Sequence, residues 1–276
     1  MALRPGPSPP VFQSSRPLVF AHRGGAALAP ENTLVAFEGG LSHGADGMEL
    51  DVHLSRDGVP VVIHDATVDR TTNGTGPVAS FTAAELAGLD AGHHFEQDGF
   101  PFRGRGHGVP TLEAVLARWP AARVIIEMKN GTPELGTAVV EVVRRVGAQR
   151  RVCLGSFQQE GLDAVRALAP EIVTSASQPE AKRTLRRSWV RWPFRPRRPY
   201  VAFQVPEWSG RTRVVSPAFV RQVHHEGQVL QVWVVDREAD AQRLLDMGVD
   251  GLISDRPDVL VPFRNRWAAG PENPRT

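Results

Sequence analysis

Three carboxylates in the first half of the chain are spaced for metal binding. Glu49 and Asp51 are two residues apart in the apolar run 47–52, so their side chains point the same way if that run is a strand. Glu127 lies near the end of another apolar run. Carboxylates that are buried together need a cation or a proton to offset their charge. Oxygen ligands without cysteine or a dense histidine cluster suit Mg²⁺ or Ca²⁺ better than zinc.

Two histidines and two cations lie at the ends of similar runs. His22 and His64 carry imidazole groups suited to proton transfer, so one could activate a hydroxyl that attacks a phosphodiester while the other protonates the leaving alkoxide. Arg23 and Lys129 could neutralise phosphate oxygens. Trp233, if its strand directs it inward, could pack against a substrate or fill the core. The alternative for His22 and His64 is a structural role. The alternative for Arg23 and Lys129 is an ion pair with one of the three carboxylates.

Short apolar runs that alternate with amphipathic segments must position these residues. Near-continuous apolar runs are typical of parallel strands, and apolar residues three and four apart are typical of helices. Strands that alternate with helices predict βαβ units. The predicted strands are 18–21, 47–52, 59–63, 124–128, 152–155, 172–174, 201–205, 229–235 and 251–253. The predicted helices are 33–43, 112–119, 135–146, 161–168, 217–225 and 239–247.

The number of strands predicts a closed (β/α)8 TIM barrel. The nine predicted strands are one more than the eight of such a barrel. Asp57-Gly58 between two alternating runs is a hairpin signal. We therefore expect 59–63 to be a return strand above the barrel, and 251–253 to close the barrel against 18–21. In such a barrel the carboxyl ends of the strands meet at one mouth, where active sites lie.

Residues 65–110 interrupt the alternation and predict a small inserted subdomain. A long insertion on a barrel is more often functional than idle. We expect the barrel to span 18–263, with a flexible N-terminal lead at 1–17 and a flexible tail at 264–276.

Length and composition indicate a soluble globular protein. The 276 residues suit a single barrel of about 250 residues. No apolar run approaches the roughly 18–20 residues of a membrane-spanning helix, and the N-terminus lacks the apolar centre of a secretory signal. The single cysteine, Cys153, excludes an intrachain disulfide. We therefore expect a cytoplasmic protein.

The segment 182–198 holds eight Lys and Arg residues and no acidic residue, although the net charge of the chain is only +2. We expect a basic loop there. Its Trp189, Trp192 and Phe194 suit peripheral contact with an anionic membrane surface or with lipid headgroups. A solvated loop whose aromatic side chains pack on the barrel is the alternative, and we expect no nucleic-acid partner.

These motifs together resemble those of the glycerophosphodiester phosphodiesterase family over roughly 18–260. The matching stretches include His22-Arg23-Gly24, Pro30-Glu31-Asn32-Thr33, Glu49-Leu50-Asp51-Val52, His64-Asp65, Arg70-Thr71-Thr72, Glu127-Met128-Lys129, Val232-Trp233-Val234 and Ser254-Asp255-Arg256-Pro257. Asp236 and Ser254 are mild departures, because the family commonly has Asn and Thr there. The basic segment 182–198 is a larger one.

The resemblance implies a TIM barrel with an inserted subdomain, a divalent metal and hydrolysis of a glycerophosphodiester to glycerol 3-phosphate and an alcohol. It implies Glu49, Asp51 and Glu127 as metal ligands, His22 and His64 as the acid–base pair, and Arg23 and Lys129 as phosphate-binding residues. Attack by the substrate's own 2-hydroxyl, through a cyclic phosphate, stays open. A lysophospholipid hydrolysed at a membrane surface is the alternative substrate, and a binding protein without activity is the alternative function. We expect substrate choice to depend on 65–110 and 182–208.

Overall fold

Parallel strands form the centre of the protein, and helices surround them. The computed structural model describes residues 9–97, 99–190, 194 and 197–270. The strands are β1 (Leu18–His22), β2 (Gly47–Leu54), β3 (Pro60–Val62), β4 (Arg123–Met128), β5 (Val152–Gly155), β6 (Ala202–Pro206), β7 (Trp208–Ser209), β8 (Thr212–Arg213), β9 (Val229–Trp233) and β10 (Gly251–Ser254). The helices are α1 (Leu34–Ser42), α2 (Ala83–Ala87), α3 (Leu112–Arg118), α4 (Pro133–Arg145), α5 (Gln159–Leu168), α6 (Gln178–Trp189), α7 (Pro217–His225), α8 (Glu238–Asp246) and α9 (Pro257–Ala269). Short 3₁₀ helices span Pro10–Phe12 and Val78–Ser80.

Pairing of the first strand with the last closes the sheet into the predicted (β/α)8 TIM barrel. β1 lies parallel to both β2 and β10, and the strands follow the order β5-β4-β2-β1-β10-β9-β6. The predicted strand at 172–174 occupies the gap between β5 and β6 without forming a regular strand. Thr174 makes an isolated parallel bridge to β5, and Ser175 makes one to the start of β6.

β3 returns antiparallel along β2, as the Asp57-Gly58 signal predicts. Gly58 has φ = 75°, in the left-handed region that glycine adopts without steric cost. Ser55 closes the turn, because its Oγ donates to Asp57 Oδ1 at 2.6 Å. The chain that leaves β3 leads directly to His64.

The residues between β3 and α3 form a small subdomain with a core of its own. α2 begins with a reciprocal cap, in which the Thr82 side chain accepts from the Glu85 backbone and the Glu85 side chain accepts from the Thr82 backbone. Buried apolar side chains pack beneath it as one cluster: Val61, Ile63, Val68, Val78, Leu86, Ala91 and Val109. The insertion is therefore an ordered unit on the side of the barrel that carries His64.

The N-terminal lead packs against the amino ends of the barrel strands. Val11 and Phe12 are 1% and 5% exposed and belong to the cluster that includes the first residues of β1, β6 and β9. The rings of Phe12 and Phe20 meet edge to face, with centroids 6.2 Å apart. The prediction of a flexible lead is therefore wrong for 10–12, because two apolar side chains there cover the amino end of the barrel strands. Residues 1–8 lie outside the described part of the chain.

Helix α9 continues past the predicted start of the C-terminal tail. Arg264 is fully buried, and its guanidinium donates to the Asp46 carboxylate and to the Pro17 carbonyl oxygen. The prediction of a flexible tail from Arg264 is therefore wrong as far as Ala269. The Gly- and Pro-containing end of the chain suggested an unstructured tail, whereas the tertiary structure supplies Asp46 as a partner for Arg264.

Arg264→Ala is expected to lower the free energy of unfolding by about 3–5 kcal/mol, because it removes one half of a buried ion pair. Arg266→Ala is the matched control on the same helix. Arg266 is 62% exposed and pairs with Glu238 on the surface, so its loss should cost less than about 1 kcal/mol. Urea unfolding followed by circular dichroism measures both. Equal losses would contradict a structural role for the buried pair.

Helix α6 replaces the basic loop predicted at 182–198 as far as Trp189. Ser177 and Glu180 form a reciprocal N-terminal cap, and Leu185 is buried on the inner face. The prediction of a loop is wrong there because Lys and Arg favour helices, and a run of cations indicates exposure and not conformation. Trp192 lies outside the described residues. None of the described helices is both long and apolar enough to cross a membrane.

Candidate active site

Register between neighbouring strands brings the predicted site residues to one end of the barrel. His22, the last residue of β1, lies opposite Glu49 of β2. Asp51 of β2 lies opposite Glu127 of β4, and Lys129 directly follows β4. Because the carboxyl ends of parallel strands meet at one mouth, these side chains converge there.

Glu49, Asp51 and Glu127 form one acidic cluster, in which each residue offers a carboxylate oxygen within 4.8 Å of the other two. Glu49 and Asp51 are buried. Lys129 Nζ lies 2.9 Å from Asp51 Oδ1 and 3.1 Å from Glu127 Oε1. Arg23 Nε lies 3.1 Å from Asp51 Oδ2. The ion pairs considered as an alternative to a metal are therefore present, and they set two cations against three carboxylates.

Two cations leave the acidic cluster short of positive charge. Burial, together with the charge of Asp51, raises the pKa of Glu49 to about 8, and burial also raises the pKa of Glu127. Burial opposes ionisation of Asp51 as well, but Lys129 and Arg23 outweigh it and lower the pKa of that carboxyl. Asp51 Oδ1 and Glu127 Oε1 are buried, and both face the single ammonium group of Lys129. The cluster therefore fits a divalent cation, which would keep all three carboxylates ionised.

Asp255, which the motifs did not mark as a site residue, orients His22. His22 Nδ1 lies 2.7 Å from Asp255 Oδ1, and His22 Nε2 lies 3.8 Å from Glu49 Oε2. Burial would lower the pKa of His22, but the hydrogen bond to Asp255 and the charge of Glu49 outweigh it and raise that pKa. Asp236 accepts from Ser254 Oγ at 2.9 Å and from the Asp255 backbone N–H at 2.8 Å. Asp236, which departs from the family pattern, thus holds the turn that carries Asp255.

A chain of ion pairs positions His64. Its Nδ1 lies 2.6 Å from Asp65 Oδ1. Arg70, from the insertion, donates to Asp65 Oδ2 at 2.6 Å and to both oxygens of Glu31 at 2.7 and 2.9 Å. Glu31 also accepts from Arg23 Nη1 at 2.9 Å. The insertion therefore joins the loop of His64 to the loop of Arg23 through one guanidinium.

Two further side chains support the site and were missed by the sequence reasoning. His53 Nε2 lies 3.0 Å from the backbone oxygen of His64, and Asn32 Nδ2 donates to Asp51 Oδ2 at 2.9 Å. His53 shares alternate positions on β2 with Asp51 and Glu49, so the two-residue period of a strand could have identified it. No such pattern connects Asn32 to its partner.

A cavity of about 460 Å³ joins the catalytic candidates to Trp233. Its walls include His22, Arg23, Glu49, His64, Glu127, Lys129 and Trp233. Asp51 is buried and contacts two of these residues. The rings of Trp233 and Phe157 meet edge to face at 6.3 Å. The volume falls within the range of about 300–1,000 Å³ that is usual for small-molecule sites. Every residue predicted for the site therefore lies in or against this cavity.

Comparison with known sequences identifies relatives along most of the chain. Residues 22–259 match the sequence profile of the glycerophosphoryl diester phosphodiesterase family. A glycerophosphodiester phosphodiesterase of Caldanaerobacter subterraneus is 35% identical over 251 residues, which cover 88% of this chain and 96% of that protein. Another, from Bacillus subtilis, is 33% identical over 263 residues, which cover 91% of this chain and 87% of that protein.

Solved structures agree. A glycerophosphodiester phosphodiesterase from Agrobacterium tumefaciens superimposes with a TM-score of 0.73 at 32% identity, covering 89% of this chain and 99% of that one. An Oleispira antarctica phosphodiesterase, in complex with the product sn-glycerol-3-phosphate, gives a TM-score of 0.74 at 27% identity, covering 91% and 97%. The motifs, the barrel and these relatives place this chain in the glycerophosphoryl diester phosphodiesterase family.

Proposed function

We propose that this chain hydrolyses glycerophosphodiesters to glycerol 3-phosphate and an alcohol. The proposal is carried by the placement of His22 and His64 at one cavity with three clustered carboxylates. Relatives named glycerophosphodiester phosphodiesterase support the activity. The sn-glycerol-3-phosphate complex of the Oleispira antarctica enzyme supports the product.

The two histidines suit the two proton transfers that cleavage of a phosphodiester requires. Each has a carboxylate at Nδ1: Asp255 for His22, and Asp65 for His64. Such a carboxylate holds the orientation and tautomer of the ring, so that Nε2 can accept or donate a proton. One histidine would activate the attacking hydroxyl, from water or from the substrate's own glycerol, and the other would protonate the leaving alkoxide.

The acidic cluster would hold the metal through the carboxylates of Glu49, Asp51 and Glu127. Three carboxylate ligands suit Mg²⁺ or Ca²⁺. A bound divalent cation would supply positive charge for the phosphoryl oxygens. Arg23 and Lys129 line the same cavity and would bind the phosphate, the first through a planar set of donors and the second as a point charge.

Trp233 would pack against the carbon skeleton of the substrate, since it lines the cavity beside Phe157. The relatives' names favour a glycerophosphodiester over the alternative substrate, a lysophospholipid. Peripheral membrane contact through 182–198 stays a prediction. Within that segment Trp189 and Phe194 are 64% and 66% exposed, and Trp192 is not among the described residues.

The purified chain, supplied with Mg²⁺ or Ca²⁺, is expected to release glycerol 3-phosphate from glycerophosphocholine and from glycerophosphoglycerol. A coupled assay with glycerol-3-phosphate dehydrogenase measures the product. Choline should appear in equal molar amount, because one phosphodiester bond breaks on the alcohol side. Release of phosphocholine and free glycerol would contradict the assigned bond, and lysophosphatidylcholine in a parallel reaction tests the alternative substrate.

A further inference from the structure

The cavity extends beyond the catalytic candidates along helix α6. Ala181, Lys182, Leu185, Arg186 and Trp189 all line it. Spacings of three and four residues place such side chains on one face of a helix. We refer to the part of the cavity lined by Lys182, Leu185, Arg186 and Trp189 as the α6 subsite.

The α6 subsite carries positive charge that no carboxylate offsets among the described residues. Lys182 and Arg186 are exposed, and Lys182 Nζ lies 3.2 Å from a neutral acceptor, Gln178 Oε1. Two other cations of the basic segment have a carboxylate partner. Arg198 Nε donates to Glu226 at 3.0 Å, and Arg187 lies 3.8 Å from the same carboxylate. The charges of Lys182 and Arg186 are therefore directed to the cavity and to solvent.

Charge is segregated within the cavity. Among the described residues, the carboxylates that line it are Glu49 and Glu127, and both belong to the acidic cluster. The α6 subsite contributes only cations and apolar groups. A cleft lined by one sign of charge concentrates ligands of the opposite sign.

The remaining walls between the catalytic candidates and helix α6 are mainly apolar. They include Phe157, Val205, Pro206, Val214 and Trp233. Such walls accept the carbon skeleton of a ligand without offering it charge. The glycerol half of a glycerophosphodiester is small, uncharged and constant, so it needs no cationic subsite. The alcohol half varies in size and charge, and is the part for which a separate subsite can discriminate.

We propose that the α6 subsite binds the alcohol half of the substrate, and that it selects glycerophosphodiesters whose alcohol carries an anionic group such as a second phosphate. This inference rests on the proposed function. Arg186 can bind a phosphate through two parallel donors, and Lys182 adds a point charge one helical turn away. A cationic alcohol such as choline would meet two like charges in the same place and no described carboxylate.

Three diesters test the proposal, because they share the glycerol half and differ in the charge of the alcohol. They are glycerophosphocholine, glycerophosphoglycerol, and glycerophosphoglycerol that carries a terminal phosphate. The expected order of kcat/KM is phosphorylated, then neutral, then cationic, with about tenfold between the first two, the size of one hydrogen bond to a charged group. The difference should lie mainly in KM, since the subsite does not touch the scissile bond.

The double variant Lys182→Gln with Arg186→Gln is expected to lower the ratio of kcat/KM for the phosphorylated over the neutral diester by about tenfold. Arg183→Gln is the matched control, because Arg183 is exposed on the same helix and is not among the residues that line the cavity. It should leave that ratio unchanged. A ratio that is equally altered in the control variant would overturn the subsite.

Ionic strength gives a second measurement on the unaltered protein. Added salt should lower kcat/KM for the phosphorylated diester more than for the neutral one, because screening weakens an exposed charge contact. Hydrolysis of all three diesters at equal rates would overturn the α6 subsite while the phosphodiesterase activity stands. Failure to release glycerol 3-phosphate from any of the three would overturn the proposed function itself, and the subsite with it.

Discussion

Replacement of His64 with alanine is expected to lower kcat by about 10²–10⁴-fold, the usual contribution of one positioned proton-transfer group. The ring lines the cavity, and its Nδ1 lies 2.6 Å from Asp65, so that Nε2 is the nitrogen left for substrate. His22→Ala should have a similar effect, because His22 is held by Asp255 in the same way. Steady-state release of glycerol 3-phosphate from glycerophosphoglycerol measures both losses.

His94→Ala is the control for these two variants. His94 is exposed in the insertion and is not among the residues that line the cavity, so its removal should leave kcat close to that of the unaltered chain. Thermal unfolding should show all three variants folded. Full activity in His64→Ala would exclude His64 as a proton-transfer group and leave it a structural role.

Removal of divalent metal is expected to reduce turnover to background, and Mg²⁺ or Ca²⁺ should restore it. The physical reason is the charge of the acidic cluster, where burial raises the pKa of Glu49 to about 8 in the absence of metal. Hydrolysis that persists after exhaustive treatment with EDTA would contradict a metal-dependent reaction.

Metal binding also has a readout that does not depend on activity. A ligand that binds only the folded state at 100 times its Kd stabilises it by about 2.7 kcal/mol. Mg²⁺ or Ca²⁺ should therefore raise the Tm of the unaltered chain but not that of Glu127→Gln, in which a carboxylate of the cluster becomes a neutral amide. Glu134→Gln, an exposed acid at the start of α4, is the control and should keep the full shift.

Local patterns predicted much of the fold. Near-continuous apolar runs located β1, β4, β5 and β10 to within a residue or so, because strands buried on both faces exclude polar side chains. The Asp57-Gly58 turn identified β3 as a return strand, since few residue pairs suit a tight hairpin. The number of strands then predicted a closed barrel.

The predictions that failed concern segments whose burial depends on distant partners. Residues 10–12 were predicted to be part of a flexible lead, although their apolar side chains cover the amino end of the barrel strands. Arg264 was predicted to lie in a flexible tail, although it pairs with Asp46, 218 residues earlier in the chain. The basic segment 182–198 was predicted to be a loop, although it is helical as far as Trp189. Composition indicates exposure in these places, and the contacts that override it are not encoded in neighbouring residues.

The sequence by itself determined the family, the barrel and the residues with the right chemistry, because side-chain type, strand period and motif spacing are local properties. Only the tertiary structure decided which groups orient them. Asp255 reaches His22 from 233 residues away, and Arg70 reaches Glu31 across 39 residues. Such contacts exist only after the first strand has paired with the last and the insertion has packed beside the loops of His64 and Glu31. No periodicity along the chain can carry information that depends on closure of the barrel.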